Sequence, residues 1–484
     1  MTKTIKLFLL TAIILLGACQ QNPKLTQTVD SNTNSDVAEI LKIITVEAIK
    51  EQDFLQAQRS ITALILSNDN SAWEFIYSAI ITLPQEMGLE IIEGSLAMDS
   101  VKNSSEQLFG IAKTYISYKD YEKAMELINK SIALNDKNLD ARFWRARLLT
   151  ILKQYDQAKL DFDYLIKNAP QNYEYANQYA SFLQETKQYI QAQDLLAKQE
   201  PNIENLFRRV IFNLQANNIE PANNLYQGLK NFEVDETLSN RKNFLVAEAG
   251  YFLEKPEESL SYYKKVLGGD SYLDAREMMS LILYETEKYD EAKEVLHQLQ
   301  NAEEKYAVKA YRLESQINKL QNDPEAAMDT LNRSLELLPN NAILLYDRAM
   351  LNESMGKMDL VEEDLLQILE DDPESADALN ALGYSLADND LKLNKALEYI
   401  QKALELSPNN PAIIDSLGWV QYKLGEYDKA EINLRRAINT EIQDPELYYH
   451  LYRTLLKLEK KQEAQELLKK AQGLFPDYEK FFDN

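Results

Sequence analysis

The sequence holds one thiol, Cys19, and two imidazoles, His297 and His450. A lone thiol has no partner for a disulfide within its own chain. Two His exclude a His-Glu-x-x-His zinc site, and both lie in helical stretches where surface or packing roles are expected. Asp388-Asn389-Asp390 opens like a calcium loop, but Lys392, Leu393 and Tyr399 stand where an oxygen ligand, a Gly and a Glu are required. It reads as a turn lengthened by one residue. Gly-rich phosphate loops and Ser nucleophile motifs are missing. The expectation is a protein without catalytic residues, metal or cofactor, whose remaining chemistry is that of Cys19 and of recognition.

The surroundings of these residues are helical. Hydrophobic residues make up 45% and charged residues 27%, with 13 Gly and 13 Pro in 484 residues, and alternating strand patterns are nearly absent. Ala124, Ala158 and Ala192 recur at intervals of 34, as do Tyr121, Tyr155 and Tyr189, and then Ala396, Ala430 and Ala464. Pro339, Pro373, Pro408 and Pro476 mark unit ends at the same period, with one residue inserted before Pro408 and Ile442 where a further Pro would fall. In the most regular copy Ile414, Leu417, Gly418 and Gln421 share one side of a first helix, and Ala430, Leu434 and Ala437 one side of a second. Asn410-Pro411 and Asp444-Pro445 place a capping side chain before a Pro at the first helical position.

This period, with small residues at the helix crossing and Pro at the unit end, resembles the tetratricopeptide repeat. The resemblance implies an all-α superhelical solenoid of roughly 13 helix pairs, since no pair covers its own apolar face. The template places them near 38–71, 72–102, 105–138, 139–172, 173–200, 203–232, 235–269, 273–302, 308–341, 342–375, 376–410, 411–444 and 445–478. Repeats at 37–200 and 308–478 are the more regular. Between 201 and 307 the spacing drifts, Ser259 takes the crossing position and Gly268-Gly269 marks a turn. Residues 479–484 form a tail.

Ahead of the repeats, Lys3 and Lys6 precede a short apolar run, Leu7 to Leu16, too short to span a bilayer. It ends in Leu16-Gly17-Ala18-Cys19, which resembles the lipobox of bacterial lipoproteins. That resemblance implies removal of a signal peptide at 1–18 and acylation of Cys19 with palmitate-type chains, an effectively permanent anchor. Gln20, where an Asp would favour retention at the inner membrane, points to the periplasmic face of the outer membrane. Residues 20–36 are polar and read as a tether averaging ~20–25 Å and reaching ~60 Å when extended. The sequons at Asn103, Asn129 and Asn332 carry no meaning in such a lipoprotein. Loss of Lys3 and Lys6 makes a chain of net charge −25 two charges more negative. Nucleic acid and anionic lipid surfaces are poor partners for it, and basic proteins are favoured.

In a tetratricopeptide repeat the first helices line the groove, through the second, fifth, ninth and twelfth positions of each unit. Those positions give Tyr346, Asn380, Tyr384, Asp415, Trp419, Tyr422 and Tyr449 near one end, and Phe109 and Phe143 near the other. Such amphipathic aromatics suit interface hot spots, although Trp419 and Tyr384 serve equally well as packing. The stretch Ala376 to Arg436, with "ADALNALGYSLAD" and "SLGWVQYKLGEYDKAEINLRRA", resembles outer-membrane lipoproteins that act as adaptors for a periplasmic carboxyl-terminal processing protease. The resemblance implies a scaffold that brings cell-wall hydrolases to that protease. Two alternatives stand beside it: an outer-membrane or pilus biogenesis lipoprotein, and a cell-wall hydrolase with an extended helical body.

Overall fold

The structure, a computed structural model, describes residues 31–67, 72–439 and 444–475 together with 478 and 482, and side chains from residue 37. Leu16, Gly17, Ala18 and Cys19 lie outside the described residues. Every regular element described is helical: 27 α-helices and a 3-10 turn at Glu236–Leu238. The chain divides into two compact units, Met1–Phe232 and Glu233–Asn484. The division falls within the stretch of drifting spacing.

From Ser105 onward the helices run in pairs, each first helix packing on the second that follows it. The reasons are local and repeat. Asn138, Asn172, Asn341 and Ser375 each cap a first helix by accepting a backbone N–H three residues on. Asn410 and Asp444 accept from Ala412 and Glu446, with Pro411 and Pro445 at the first helical position. Between the helices of a pair the chain reverses through one residue of positive φ, or through two, Asp390 and Lys392, in the lengthened turn, and here the side chains are unexpected. Gly356 and Gly425 fill this position in two repeats, but Lys119, Lys153, Lys187, Asn217, Glu254, Glu287, Asn322 and Glu459 fill it elsewhere. A non-Gly residue there carries a strain of ~1–2 kcal/mol, which the closing hydrogen bonds offset.

At the crossing, Ala124, Ala158, Ala192, Ala430 and Ala464 are fully buried. A Cβ on Gly418 would come within 2.5 Å of the Leu434 side chain, and one on Gly383 within 2.9 Å of the Ala396 carbonyl oxygen. Close approach of the backbones therefore requires the small residues. Ser259 at the same position is also fully buried and donates its hydroxyl to the Ala247 carbonyl at 2.7 Å, so the polar substitution is satisfied.

Three departures from regularity have identifiable causes. Residues 72–102 do not form a simple pair: Pro84 separates Trp73–Ile80 from Gln85–Leu96, and a four-residue helix, Asp99–Lys102, follows. Two second helices, Tyr189–Leu196 and Pro256–Tyr263, have only 8 residues. Carbonyls at and just past their C-terminal ends are met from the next repeat, Leu196 by Asn205 at 2.8 Å, and Tyr263 and Val266 by the buried Arg276 at 3.3 and 2.9 Å. Finally, the first helix, Ser31–Lys50, begins inside the stretch read as a tether.

One polar device appears once in each unit. Arg145 grips the buried carboxylate of Asp161 at 2.6 and 2.7 Å and donates to Asn129 at 2.8 Å. Arg348 does the same with Asp364, at 3.0 and 2.6 Å, and with Asn332 at 3.0 Å. Each Arg thus ties the two helices of its repeat to the second helix before it. The side chains of Asn129 and Asn332, sequons by spelling, serve as acceptors in these ties.

Candidate protein-binding surfaces

In the second unit the first-helix faces of the last repeats enclose a cleft of about 520 Å³. Its wall is a stack of rings. Trp419 lies parallel to Tyr422 with centroids 4.7 Å apart and to His450 at 4.1 Å. The polar edge of each ring is held. Trp419 Nε1 donates to Asp388 at 2.9 Å, the His450 ring pairs through Nδ1 with Asp415 at 2.7 Å, and Tyr384 donates to Glu446. Arg453 donates to the Tyr449 hydroxyl. Lys423 closes the rim, donating to the Asp388 carbonyl at 2.8 Å and to Asp390 at 3.1 Å. The lengthened turn at 388–390 thus buttresses the cleft.

Burial, reinforced by the Glu446 carboxylate, drives the Tyr384 phenol well above its ordinary pKa, so it stays a donor at any physiological pH. Burial also raises the Glu353 carboxyl, and the Asp388 and Glu446 charges add to the effect. Acceptor capacity remains at the fifth positions, where Asn380 Oδ1 and Asp415 Oδ1 are buried without a hydrogen-bond partner among the described residues. A carboxylate–imidazole pair is half of a general-base arrangement, yet no side-chain hydroxyl bonds to the His450 ring among the described residues. His297 pairs with Glu314 at 3.2 Å on another repeat.

The first unit is built differently. Phe109 is half-buried with the Lys113 ammonium 5.5 Å from its ring, and Lys113 also lies over Tyr77 and bonds Glu74 at 2.9 Å. Phe143 packs on Tyr175 at 5.0 Å, and the Tyr175 hydroxyl donates to Asp140 at 3.0 Å. Arg147 places its guanidinium 4.3 Å from the Trp144 ring and 5.6 Å from Phe143. Arg208 donates to the Asn177 carbonyl and to Ser181, each at 3.0 Å.

The structure sorts the residues picked out from sequence. Tyr346, Asn380, Tyr384, Tyr449 and Phe109 are half-buried on first-helix faces. Phe143, Asp415, Trp419 and Tyr422 are at most 8% exposed and pack in the cores, with Trp419 and Tyr422 lining the cleft from within. Trp419, Tyr422 and Tyr449 come together at the cleft; Tyr346 lies two repeats away beside Arg312 and Asp347, and Phe109 and Phe143 lie in the other unit. The sequence reading missed Lys113 and Arg147, although both occupy the ninth position that yields Tyr384 and Trp419. It also missed Glu446, a second position, and Arg453, a ninth; a search for aromatics alone passed over them.

Comparison with known proteins places these faces in a class. Residues 346–411 match the tetratricopeptide repeat family, and residues 91–159 and 388–471 match the family of subunit 3 of the anaphase-promoting complex, or cyclosome. Residues 346–411 thus carry a tetratricopeptide-repeat signature, in a chain whose fold is an all-α solenoid of the kind that presents surfaces to other proteins. Among particular relatives, a TPR repeat-containing protein of Pseudomonas aeruginosa is 34% identical over 193 residues, 40% of this chain and 32% of its own length. Cellulose synthase operon protein C of Pseudomonas fluorescens is 28% identical over 181 residues, 35% of this chain and 14% of its own length. The chain thus spans a third or less of these two curated relatives. Among solved structures, a tetratricopeptide repeat protein of Parabacteroides merdae aligns with TM-score 0.42 at 13% identity, over 51% of this chain and 98% of its own. The pilF protein of Pseudomonas aeruginosa aligns with TM-score 0.35 at 20% identity, over 44% of this chain and 97% of its own.

Proposed function

We propose that this protein is a lipid-anchored adaptor at the periplasmic face of the outer membrane, which holds a cell-wall hydrolase beside a carboxyl-terminal processing protease and has no catalytic step of its own. The observation that carries the reading is the C-terminal cleft. The stretch Ala376 to Arg436, on which the resemblance to such adaptors rests, supplies Trp419, Tyr422 and Lys423 to it. Half-buried Tyr384 and Tyr449 offer partners large contact area with a polar tip, the composition of binding hot spots. Acylation of Cys19 confines the assembly to the membrane beside the cell wall. Holding two proteins on one scaffold replaces a dilute encounter by an intramolecular one at effective concentrations up to ~mM.

The test is a reconstituted digestion of a cell-wall hydrolase by the protease, with and without this protein, read as the half-life of the hydrolase. A half-life shortened only when all three are present supports the adaptor. An unchanged half-life, with neither protein co-purifying, leaves outer-membrane or pilus assembly as the better account. For the anchor, Cys19→Ser is expected to move the protein from the membrane to the soluble fraction; a mutant that still fractionates with the outer membrane overturns acylation as the anchor.

A further inference from the structure

We infer that the outer face of the first helix, Ser31–Lys50, rests on the lipid bilayer, with Val37, Ile40, Ile43 and Ile44 set among the headgroups and upper acyl chains. The inference rests on the reading of Cys19 as acylated and adds a second, apolar point of contact to that anchor.

This helix carries two aliphatic stripes where packing needs one. Ala38, Leu41, Thr45 and Ala48 are buried on the side that meets the second helix, Phe54–Leu66, where the Thr45 and Ser60 hydroxyls lie 2.7 Å apart. The other stripe is left over. Val37 and Ile43 are 41% and 63% exposed, Ile40 and Ile44 are partly so, and at 100° per residue the four fall within about a third of the circumference. Ile49 packs on the hydrophobic core of the unit, whereas Ile40 and Ile44 are not among the residues that do. In later repeats a first helix is also packed by the second helix of the repeat before it, as Leu139–Ile151 is by Tyr121–Leu134. The eleven residues between Cys19 and Ser31 are too few to supply such a pair.

Three observations name the bilayer as the occupant. The first is reach: from Cys19 to Ser31 an extended chain spans at most ~40 Å and a coil averages ~20 Å, so an acylated Cys19 holds this helix at the membrane surface. The second is charge. Glu39 pairs with Lys42 at 2.6 Å and Glu47 with Lys50 at 3.1 Å, so residues 37–50 carry no net charge in a chain of −25. The helix can approach headgroups that disfavour the rest of the chain. The third is area: four side chains bury a few hundred Å² at most, well short of the ~1,200–2,000 Å² of a stable interface between proteins. So small a patch does not hold a free protein or a second copy. It is sufficient for a surface that the anchor already keeps within reach, because the patch then only sets the orientation. Cys19→Ser is accordingly still expected to release the protein.

The experiment places a polarity-sensitive fluorophore on this face of the mature, membrane-extracted chain. With Cys19 acylated, Ile43→Cys offers the one free thiol, and Leu160→Cys, at a site 70% exposed on Tyr155–Asn168, is the control. Each labelled protein is reconstituted into phosphatidylcholine vesicles with and without brominated acyl chains. Bromine is expected to lower emission at least ~2-fold at position 43 and to leave position 160 unchanged. Adding Ile40→Glu to the Ile43→Cys protein is expected to abolish the quenching while circular dichroism shows helix content kept. Quenching at 43 no greater than at 160, or unaltered by Ile40→Glu, overturns the inference. So does a disulfide between two copies of the Ile43→Cys variant in detergent, which assigns the face to a second copy, or a change of emission at 43 that requires the protease, which assigns it to a protein partner. Vesicle flotation of the same samples separates this inference from the anchor. Protein that floats with its label in water means that the anchor stands and this face does not touch lipid; protein that does not float overturns both.

Discussion

Two first-helix faces, built on one template, put their polar groups to opposite use. At the C-terminal end of the second unit the rings stack on one another, and their polar edges are held by Asp388, Asp415, Glu446 and Arg453. In the first unit the rings back cations, and Arg147 is left without a hydrogen-bond partner among the described residues. The first arrangement makes a wall with a cleft, while the second leaves a cation lying over a ring. A helical-repeat scaffold therefore gains different surfaces by changing a few positions of each first helix, while small residues still make the crossing and Asn, Ser or Asp still cap first helices.

The comparison can be broken in several ways. The largest effects concern what the units share. Arg348 is the one cationic partner of the buried Asp364 among the described residues, so Arg348→Ala is expected to cost ~3–5 kcal/mol in urea denaturation. Arg145→Ala should cost less, because Arg142 also reaches Asp161 at 3.3 Å. Equal losses would contradict this ranking. The faces themselves should then diverge: Trp419→Ala removes a buried indole at ~3–5 kcal/mol, whereas Arg147→Ala loses a cation–π contact of ~0.5–1 kcal/mol. Similar losses would mean that Arg147 is structural.

Smaller effects follow. Replacing Lys153 by Gly at its positive-φ turn should raise stability by up to ~1 kcal/mol, read as a higher urea midpoint; a lower midpoint would show that the lysine side chain contributes more than the strain costs. The smallest concerns pH. The Glu353 carboxyl titrates above its unfolded value because of burial, so its ionisation opposes folding. That penalty is absent below the unfolded pKa of ~4.3, grows as pH rises through it, and is complete above the folded value. Glu353→Gln should therefore raise the thermal midpoint near neutral pH and leave it unchanged below the unfolded pKa. A uniform shift at all pH values would assign the effect to packing.

Much of the scaffold was legible from residue types. Gly418 and Ala430 announce a close crossing, and Asn410-Pro411 a helix start, because sterics and capping at those positions admit few alternatives. The αL turns at Lys153 or Glu459 were not legible, since closing hydrogen bonds hold a conformation that their residue types do not favour. Nor were the short helices Tyr189–Leu196 and Pro256–Tyr263, which depend on Asn205 and Arg276 reaching back from the next repeat. Groove positions followed from the helical period. Whether Phe143 or Trp419 faces outward was decided by neighbours such as Tyr175 and His450, which lie 32 and 31 residues away in sequence.

The central claim is that this chain holds two partners at once on chemically distinct faces. The most direct test is sedimentation of the purified full chain with an inactive processing protease and a cell-wall hydrolase. The account predicts a single species containing all three, in which Tyr449→Ala at the cleft weakens the hold on one partner while the other remains. Wild-type protein sedimenting apart from both would contradict it.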